Sequence, residues 1–278
     1  MIFVSRSRTL RMSLLLLQDE ITKTRAFVFK NWIMARRNVF TLLEILFWPS
    51  VAFLSVGLLA EFAALQQEMR GFILVGVVSM GALQVCQLDV AYSLLYDVWS
   101  KAVKHAFIVP VGIRHLIFGS LIVGIIRGGV VFFLLMGASY WIFAFDFTVP
   151  GMGPLCLFLF GLFLNAAMVG CLVCMLVLTF GNRAEVAAWS LVSLMLLICG
   201  IYYPITILPR WAGAVAELIP LTYFLEYFRH FYGFQPTFTH VLARGYGLVV
   251  SYLLLEFYLM KVALRRARKT GLLLKLSE

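Results

Sequence analysis

Charged residues are scarce in this sequence of 278 residues: Asp, Glu, Lys and Arg make up only 13% of it, whereas 63% of it is hydrophobic. A soluble domain usually carries about 25% charged residues, because much of its surface has to face water. The composition therefore excludes an ordinary soluble protein and predicts a chain that is surrounded by lipid.

The sequence also lacks the motifs of hydrolytic and metal-binding sites. It contains neither the GxxxxGKS/T loop that binds nucleotide phosphates nor the HExxH motif of zinc hydrolases. Its five cysteines all lie in apolar runs, which is not the pattern of a disulfide framework. The apolar stretch after the basic start, Leu14–Leu17, is too short for the core of a cleavable signal peptide. We therefore expect no catalytic site, bound cofactor or metal on this chain.

Six long apolar runs are present instead. A helix needs roughly 20 apolar residues to cross about 30 Å of hydrocarbon, and runs of that length favour helices over the short alternating strands of a membrane barrel. The sequence thus predicts an all-α integral membrane protein with six transmembrane helices. The predicted spans are Phe40–Ala60, Gly71–Leu95, His115–Phe143, Leu155–Phe180, Val186–Tyr203 and Val241–Ala263.

The basic residues indicate the orientation of these spans. Lys and Arg are concentrated in the N-terminal segment, in the connection after the second span and in the C-terminal tail, whereas the opposite side carries Arg70, Arg210 and Arg229. Because Lys and Arg accumulate in cytoplasmic loops, both termini are expected in the cytoplasm. The net charge of +10 then forms a belt that favours anionic membrane lipids, rather than a face for nucleic acid.

Composition divides the chain into three parts. Residues 1–38 form a cytoplasmic N-terminal segment, residues 39–263 the six-helix transmembrane domain, and residues 264–278 a basic cytoplasmic tail. Residues 17–38 place apolar and basic side chains at helical spacing, which predicts an amphipathic helix in the inner membrane interface. An extension of the first span is the alternative. Residues 204–239 are too apolar for a free loop and contain four prolines, so we predict short helices there that dip into the outer leaflet.

Four charged side chains are predicted to lie within the spans, where a charge is costly and is a functional hypothesis by default. Arg127 lies between Gly124 and Gly128, and small residues of this kind let two helices approach closely. Pairing of Arg127 with Asp89 or Glu256 would reduce the cost of burying each charge. Such a pair can serve packing alone or take part in proton transfer, and the sequence leaves both readings open. The four residues are Glu44, Asp89, Arg127 and Glu256.

Three stretches of the chain resemble the membrane subunit of type-2 ABC exporters, a permease family that includes drug, lipid and polysaccharide exporters. Residues 31–59 are similar to the family's interface helix, basic turn and first span, with Trp48–Pro49 as a landmark. Residues 94–128 resemble its acidic and aromatic helix after the second span, followed by a proline and the third span. Residues 207–229 resemble its Pro-x-Trp turn, short helix and Pro-Leu-Thr-Tyr motif with an acidic-x-x-Arg ending. The resemblance covers nearly the whole chain.

The resemblance implies an assembly of two copies of this chain with two separate ABC ATPase subunits, which would hold the ATP and Mg²⁺. The helix formed by residues 96–108 would be the coupling helix that docks on the ATPase, and the end of the N-terminal helix would be a second contact. Anchoring at the membrane interface is the alternative role for Trp99. Residues 204–234 would close the path from outside. The implied ATPase contacts are Tyr96, Asp97, Trp99, Lys101, Lys104, His105, Lys30, Arg36 and Arg37. The implied outer-gate residues are Pro204, Pro209, Trp211, Pro220, Tyr223, Glu226 and Arg229.

The function that the resemblance implies is ATP-driven export across a bacterial or archaeal cytoplasmic (inner) membrane. The substrate would be amphipathic, lipid-linked or a glycan. An ion-coupled secondary transporter should show inverted repeats and helices broken at mid-membrane, and neither is visible in the sequence. A non-catalytic membrane scaffold stays open as a further alternative, whereas the few charges within the spans do not form the catalytic set of a membrane-embedded transferase or protease.

Overall fold

The computed structural model describes residues 2–37, 39–101 and 111–269 of the chain, and in these residues the fold is all-helical, as the sequence predicts. The connections between the α-helices contain turns and two short 3₁₀ segments, Gly181–Glu185 and Ile205–Ile207. The α-helices are α1 (Ile2–Arg37), α2 (Val39–Phe62), α3 (Gln67–Trp99), α4 (Ile113–Phe143), α5 (Met152–Phe180), α6 (Val186–Ile198), α7 (Arg210–Ala216), α8 (Pro220–His230) and α9 (Val241–Lys269).

Five of these helices are long and apolar enough to cross a membrane: α2 from Ile45 onward, α3, α4, α5 and α9 as far as Ala267. The fifth predicted span, Val186–Tyr203, is represented by α6, which has 13 residues and ends at Ile198. The helix ends there because Gly200 adopts a positive φ of 71°, a left-handed conformation that glycine accepts without strain. Helix α6 is therefore shorter than the five helices that can cross a membrane.

Helix α3 occupies the centre of the bundle. It packs against α2, α4 and α5, and most of its side chains are buried. The bundle has one apolar core near the α2–α3 turn, with Phe132, Phe158 and Phe228 fully buried, and a second near the α3–α4 connection, which includes Leu94 and Val177. These two ends of the bundle are called below the α2–α3 end and the α3–α4 end.

Glycines bring α3 and α4 into close contact. A Cβ atom on Gly124 would lie 2.9 Å from the carbonyl oxygen of Cys86, and one on Gly128 would lie 2.8 Å from that of Ala82. Those distances leave no room for a side chain, so the two backbones touch directly, as small residues allow between membrane helices. Gly129 on the same helix faces open space.

Helix α1 runs lengthwise beside α4, in the same direction. Glu20 contacts Arg114, Phe27 lies against Gly119, and Ala35 shares a groove with Arg127. The contacts advance along both helices together, so α1 packs lengthwise on α4 over this part of its length. The placement of α1 in the membrane interface stays a prediction.

We expect Gly124→Val to lower the stability of the protein by about 1–3 kcal/mol, because the added methyl groups would push α3 and α4 apart. Gly129→Val is the matched control, since its side chain would meet no atom of the fold. Thermal unfolding of both variants in detergent, followed by fluorescence-detected size exclusion, measures the difference. Equal melting temperatures for the two variants would contradict the close contact.

Candidate functional site

The paired charges within the bundle are Arg127 of α4 and Asp89 of α3, which form a salt bridge. Their side chains are only 12% and 15% exposed. Asp89 lies about 33 Å along α3 from its start at Gln67, and Arg127 about 24 Å along α4 from Phe143, at 1.5 Å per residue. Arg127 thus lies near the middle of α4, and Asp89 lies in the half of α3 that ends at Trp99.

The surroundings of this pair are polar on one side and aromatic on the other. Asn31, Ser93 and Ser120 line a small cavity beside it, and a second cavity is lined by Trp48 and Trp189 among others. Within the described residues, Asp89 Oδ2 and Arg127 Nε have no hydrogen-bond partner although both atoms are buried. The cluster is therefore a polar site that the protein itself satisfies only in part.

Glu256, which is also predicted to lie within a span, does not join this pair. Glu256 of α9 is 7% exposed and lies near Cys171 and Cys174 of α5, and its Oε2 has no partner in the described part of the chain. Glu44 lies in α2, and its side chain is outside the described part. Of the two partners that the sequence suggests for Arg127, the structure thus shows Asp89.

We expect Arg127→Leu to destabilise the protein by about 3 kcal/mol, because it leaves Asp89 buried without a counter-charge. The double variant Arg127→Leu with Asp89→Leu should recover most of this loss, since it removes both charges together. Unfolding by titration with SDS gives the four free energies of this double-mutant cycle. Additive losses in the double variant would show that the two side chains do not interact.

Two polar contacts tie α1 to the helices that flank the α3–α4 connection. Lys30 forms a salt bridge with Asp97 in the last turn of α3, whose carboxyl is 5% exposed. Glu20 contacts Arg114 at 2.5 Å and His115 at 3.1 Å in the first turn of α4. Lys30 and Asp97, both predicted as ATPase contacts, therefore bind each other, so the carboxylate of Asp97 is not available to a docking partner.

The remaining predicted ATPase contacts divide into three groups. Tyr96 and Trp99 belong to the last turn of α3 rather than to a separate helix, and their rings cluster with Tyr92. Trp99 is 40% exposed. Arg36 and Arg37 end α1 and are exposed, as is Lys101 in the turn that follows α3. Lys104 and His105 lie outside the described residues.

Arg229 links three parts of the bundle at the α2–α3 end. Its guanidinium donates hydrogen bonds to the carbonyl oxygens of Gly200 at 2.6 Å, Ile201 at 2.8 Å and Phe72 at 2.9 Å, and lies 3.5 Å from the ring centroid of Phe72. The side chain is 3% exposed, and burial lowers the pKa of Arg229 to about 9, which leaves it cationic at neutral pH. One residue of α8 thus holds the turn after α6 against the start of α3.

Glu226 makes a separate contact on the same helix. Its carboxylate accepts hydrogen bonds from the backbone N–H groups of Thr237 at 3.0 Å and Phe238 at 3.4 Å. Burial raises the pKa of Glu226, while these hydrogen bonds lower it. The acidic-x-x-Arg ending therefore consists of two anchors: Arg229 binds carbonyl groups, and Glu226 fixes the segment that leads into α9.

The other predicted outer-gate residues shape the turns around α7 and α8. Pro204 precedes the second 3₁₀ segment, Pro209 precedes α7, and Pro220 occupies the first position of α8, where a missing N–H breaks no hydrogen bond. Tyr223 is buried and its hydroxyl donates to the carbonyl oxygen of Glu217 at 2.8 Å. Trp211 is 71% exposed, so it contributes no core contact.

We expect Arg229→Gln to lower the stability by about 3 kcal/mol or more, because hydrogen bonds from a charged group are worth about 1.5–3 kcal/mol each and three carbonyl groups would lose their donor. Arg210→Gln is the matched control, since Arg210 is exposed at the start of α7. Thermal unfolding in detergent compares the two. A loss of the same size in both variants would contradict the linking role of Arg229.

Comparison with known proteins shows the family of the chain. The chain matches the family of ABC-2 type transporters over residues 22–232. That match spans most of the chain, which therefore belongs to the ABC-2 type transporter family, whose members are membrane subunits that transport and are not enzymes by themselves. The resemblance noted in the sequence is confirmed by it.

A protein of Archaeoglobus fulgidus that carries no functional description is 37% identical over 59 residues, which are 21% of this chain and 92% of that protein. The similarity covers one segment and adds nothing on function.

Signals for some of these contacts were absent from the sequence. Glu20, Arg114 and His115 are ordinary polar residues in basic, amphipathic segments, and no spacing rule relates residues so far apart. Only the proximity of α1 to α4 reveals their role.

Proposed function

We propose that this chain is the permease subunit of an ATP-driven ABC exporter. Two copies would enclose the path for an amphipathic, lipid-linked or glycan-type substrate, and two separate ATPase subunits would bind at the α3–α4 end. The observation that carries the proposal is the family match over residues 22–232. The position of the exposed ring of Trp99, beside the two salt-bridged contacts of α1, supports docking at this end.

Six crossings with both termini in the cytoplasm fit the helices that are present. The 3₁₀ segment Gly181–Glu185 and α6 follow each other directly, and rises of about 2.0 Å and 1.5 Å per residue give them together a length of about 30 Å. That length matches the hydrocarbon core. The α3–α4 end carries Lys101 and Arg114, Lys30 of α1 and the end of α9, so the basic residues favour the cytoplasm at this end.

The path of α8 supports an outer gate formed by α7 and α8. Phe224, near its start, packs against Gly161 of α5, about 14 Å along α5 from Met152. Near its end, Phe228 stacks on Phe158, and after it Tyr232 donates a hydrogen bond to the carbonyl of Asp146 at 2.8 Å. The helix therefore rises from within the bundle towards the α2–α3 end, as a re-entrant helix does.

In this mechanism ATP acts through the partner subunits. ATP binding would draw the two ATPase subunits together, and they would move the α3–α4 connection of each permease. Because Glu20 and Lys30 tie α1 to both sides of that connection, α1 and the connection would move as one body. ATP can drive transport only if the ATP-bound partners bind one permease conformation more tightly than the other.

An ion-coupled secondary transporter is the second candidate, and one observation favours it. Glu256 is a buried carboxyl group with an unpartnered oxygen in the described structure, and intramembrane carboxyl groups commonly carry protons in such transporters. Transport that persists with a partner ATPase unable to hydrolyse ATP would support this candidate against the exporter.

The proposal predicts that the tagged chain, purified from its native membrane in mild detergent, brings down an ATPase that contains a P-loop. Trp99→Ala should weaken the affinity for this ATPase about 30-fold, since a buried Trp anchor is worth about 2 kcal/mol or more at an interface. Trp141→Ala is the matched control, because Trp141 is 85% exposed at the opposite end of α4.

Binding of the ATPase to the permease in nanodiscs, together with ATP hydrolysis by the reconstituted complex, measures the effect. Purifications that never contain a P-loop ATPase would refute the exporter proposal. Unchanged binding by Trp99→Ala would refute the docking position alone.

A further inference from the structure

A groove on the lipid-facing side of the bundle lies between α1, α2 and α4. Trp32 and Arg36 of α1, Leu46 of α2, and Arg127 and Val130 of α4 belong to its lining. Leu46 and Val130 are 41% and 52% exposed, although each lies in an apolar helix. The groove is therefore open to the surroundings, and no side chain of the described residues fills it.

Cationic side chains and then apolar side chains line this groove, in the same order as the headgroup and the acyl chains of a lipid. Arg127 lies about 24 Å along α4 from Phe143, and Arg36 at the end of α1 lines the same groove. Val130 lies about one helical turn further towards the α2–α3 end, and Leu46 of α2 also lines the groove. With the α3–α4 end on the cytoplasmic side, as proposed, the two cationic groups would face the nearer headgroups, and the apolar groups would continue the groove towards the membrane interior.

The charge of the described lining is positive. Arg36 and Arg127 contribute to it, whereas Asp89, the partner of Arg127, lines the neighbouring cavities instead. A guanidinium offers five donors in a fixed plane and binds phosphate groups well, and Asp89 occupies part of that capacity.

We propose that this groove binds one anionic phospholipid from the leaflet at the α3–α4 end. The anionic headgroup of this lipid would contact Arg36 and Arg127 through its phosphate. Trp32 would lie at the membrane interface, as tryptophan commonly does, and an acyl chain would cover Leu46 and Val130. Free phosphate would leave the apolar wall uncovered, which favours the lipid. The inference rests on the proposed placement in the membrane but not on the ATPase.

Native mass spectrometry of the delipidated chain, titrated with phosphatidylglycerol or phosphatidylcholine, tests the site. Phosphatidylglycerol should bind more tightly than phosphatidylcholine. Arg36→Gln should weaken its binding about fivefold, the usual effect of one basic residue near an anionic lipid. Val130→Trp should weaken it by at least as much, because the indole would occupy the place of the acyl chain.

Two control variants separate the groove from the general surface. Arg265→Gln removes the same charge from an exposed position on α9, and Val250→Trp adds the same ring at a valine of α9 that is 47% exposed. Both should bind phosphatidylglycerol like the unchanged chain. Equal binding of the two lipids, equal losses in Arg36→Gln and Arg265→Gln, or displacement of the lipid by inorganic phosphate would each overturn the proposal.

The measurement uses the permease without any ATPase. A negative lipid result therefore leaves the exporter proposal intact, and failure of the ATPase to bind leaves the lipid result intact.

Discussion

The direct contact between the backbones of α3 and α4 at Gly124 and Gly128 determines where the charged groups of this protein lie. It brings Asp89 beside Arg127, so that the two charges neutralise each other. A salt bridge of this kind is weak evidence for stability, since desolvation offsets much of its attraction. The salt bridge instead fixes the position of Arg127, which lines both the polar cavity beside Asn31 and the groove between α1, α2 and α4.

Helix α1 depends on the same contact, because it packs along the face of α4 that α3 leaves free. The Lys30 and Glu20 contacts then join α1 to both sides of the α3–α4 connection. Exposed salt bridges contribute little stability one by one, but Asp97 is almost fully buried, and removal of its partner would leave a buried charge. The end of the permease that we propose to bind an ATPase is therefore tied together by polar contacts in addition to the apolar core around Leu94 and Val177.

The sequence predicts the spans well and the side-chain partners poorly, for physical reasons. A long apolar run is by itself the signal of a membrane span, so the bounds of α3, α4, α5 and α9 could be predicted to within a few residues. The amphipathic pattern before Arg37 fits a membrane surface and a groove between helices equally, so the pattern alone does not specify the packing of α1 against α4. Arg229 was recognised as part of a motif, but its bond to the carbonyl of Phe72, 157 residues away, depends on how α8 folds back into the bundle.

Helix α3 connects the two candidate sites mechanically. At one end Asp97 binds α1, and at the other the carbonyl of Phe72 accepts a hydrogen bond from Arg229 while Gly76 lets Ile201 approach closely. A continuous helix of 33 residues transmits an axial or tilting displacement over about 50 Å. Movement of the α3–α4 connection would therefore reach the contact that holds α8. Coupling needs two stable arrangements of such an element, and in the exporter that we propose, the second arrangement would be the one in which the Arg229 contact is broken.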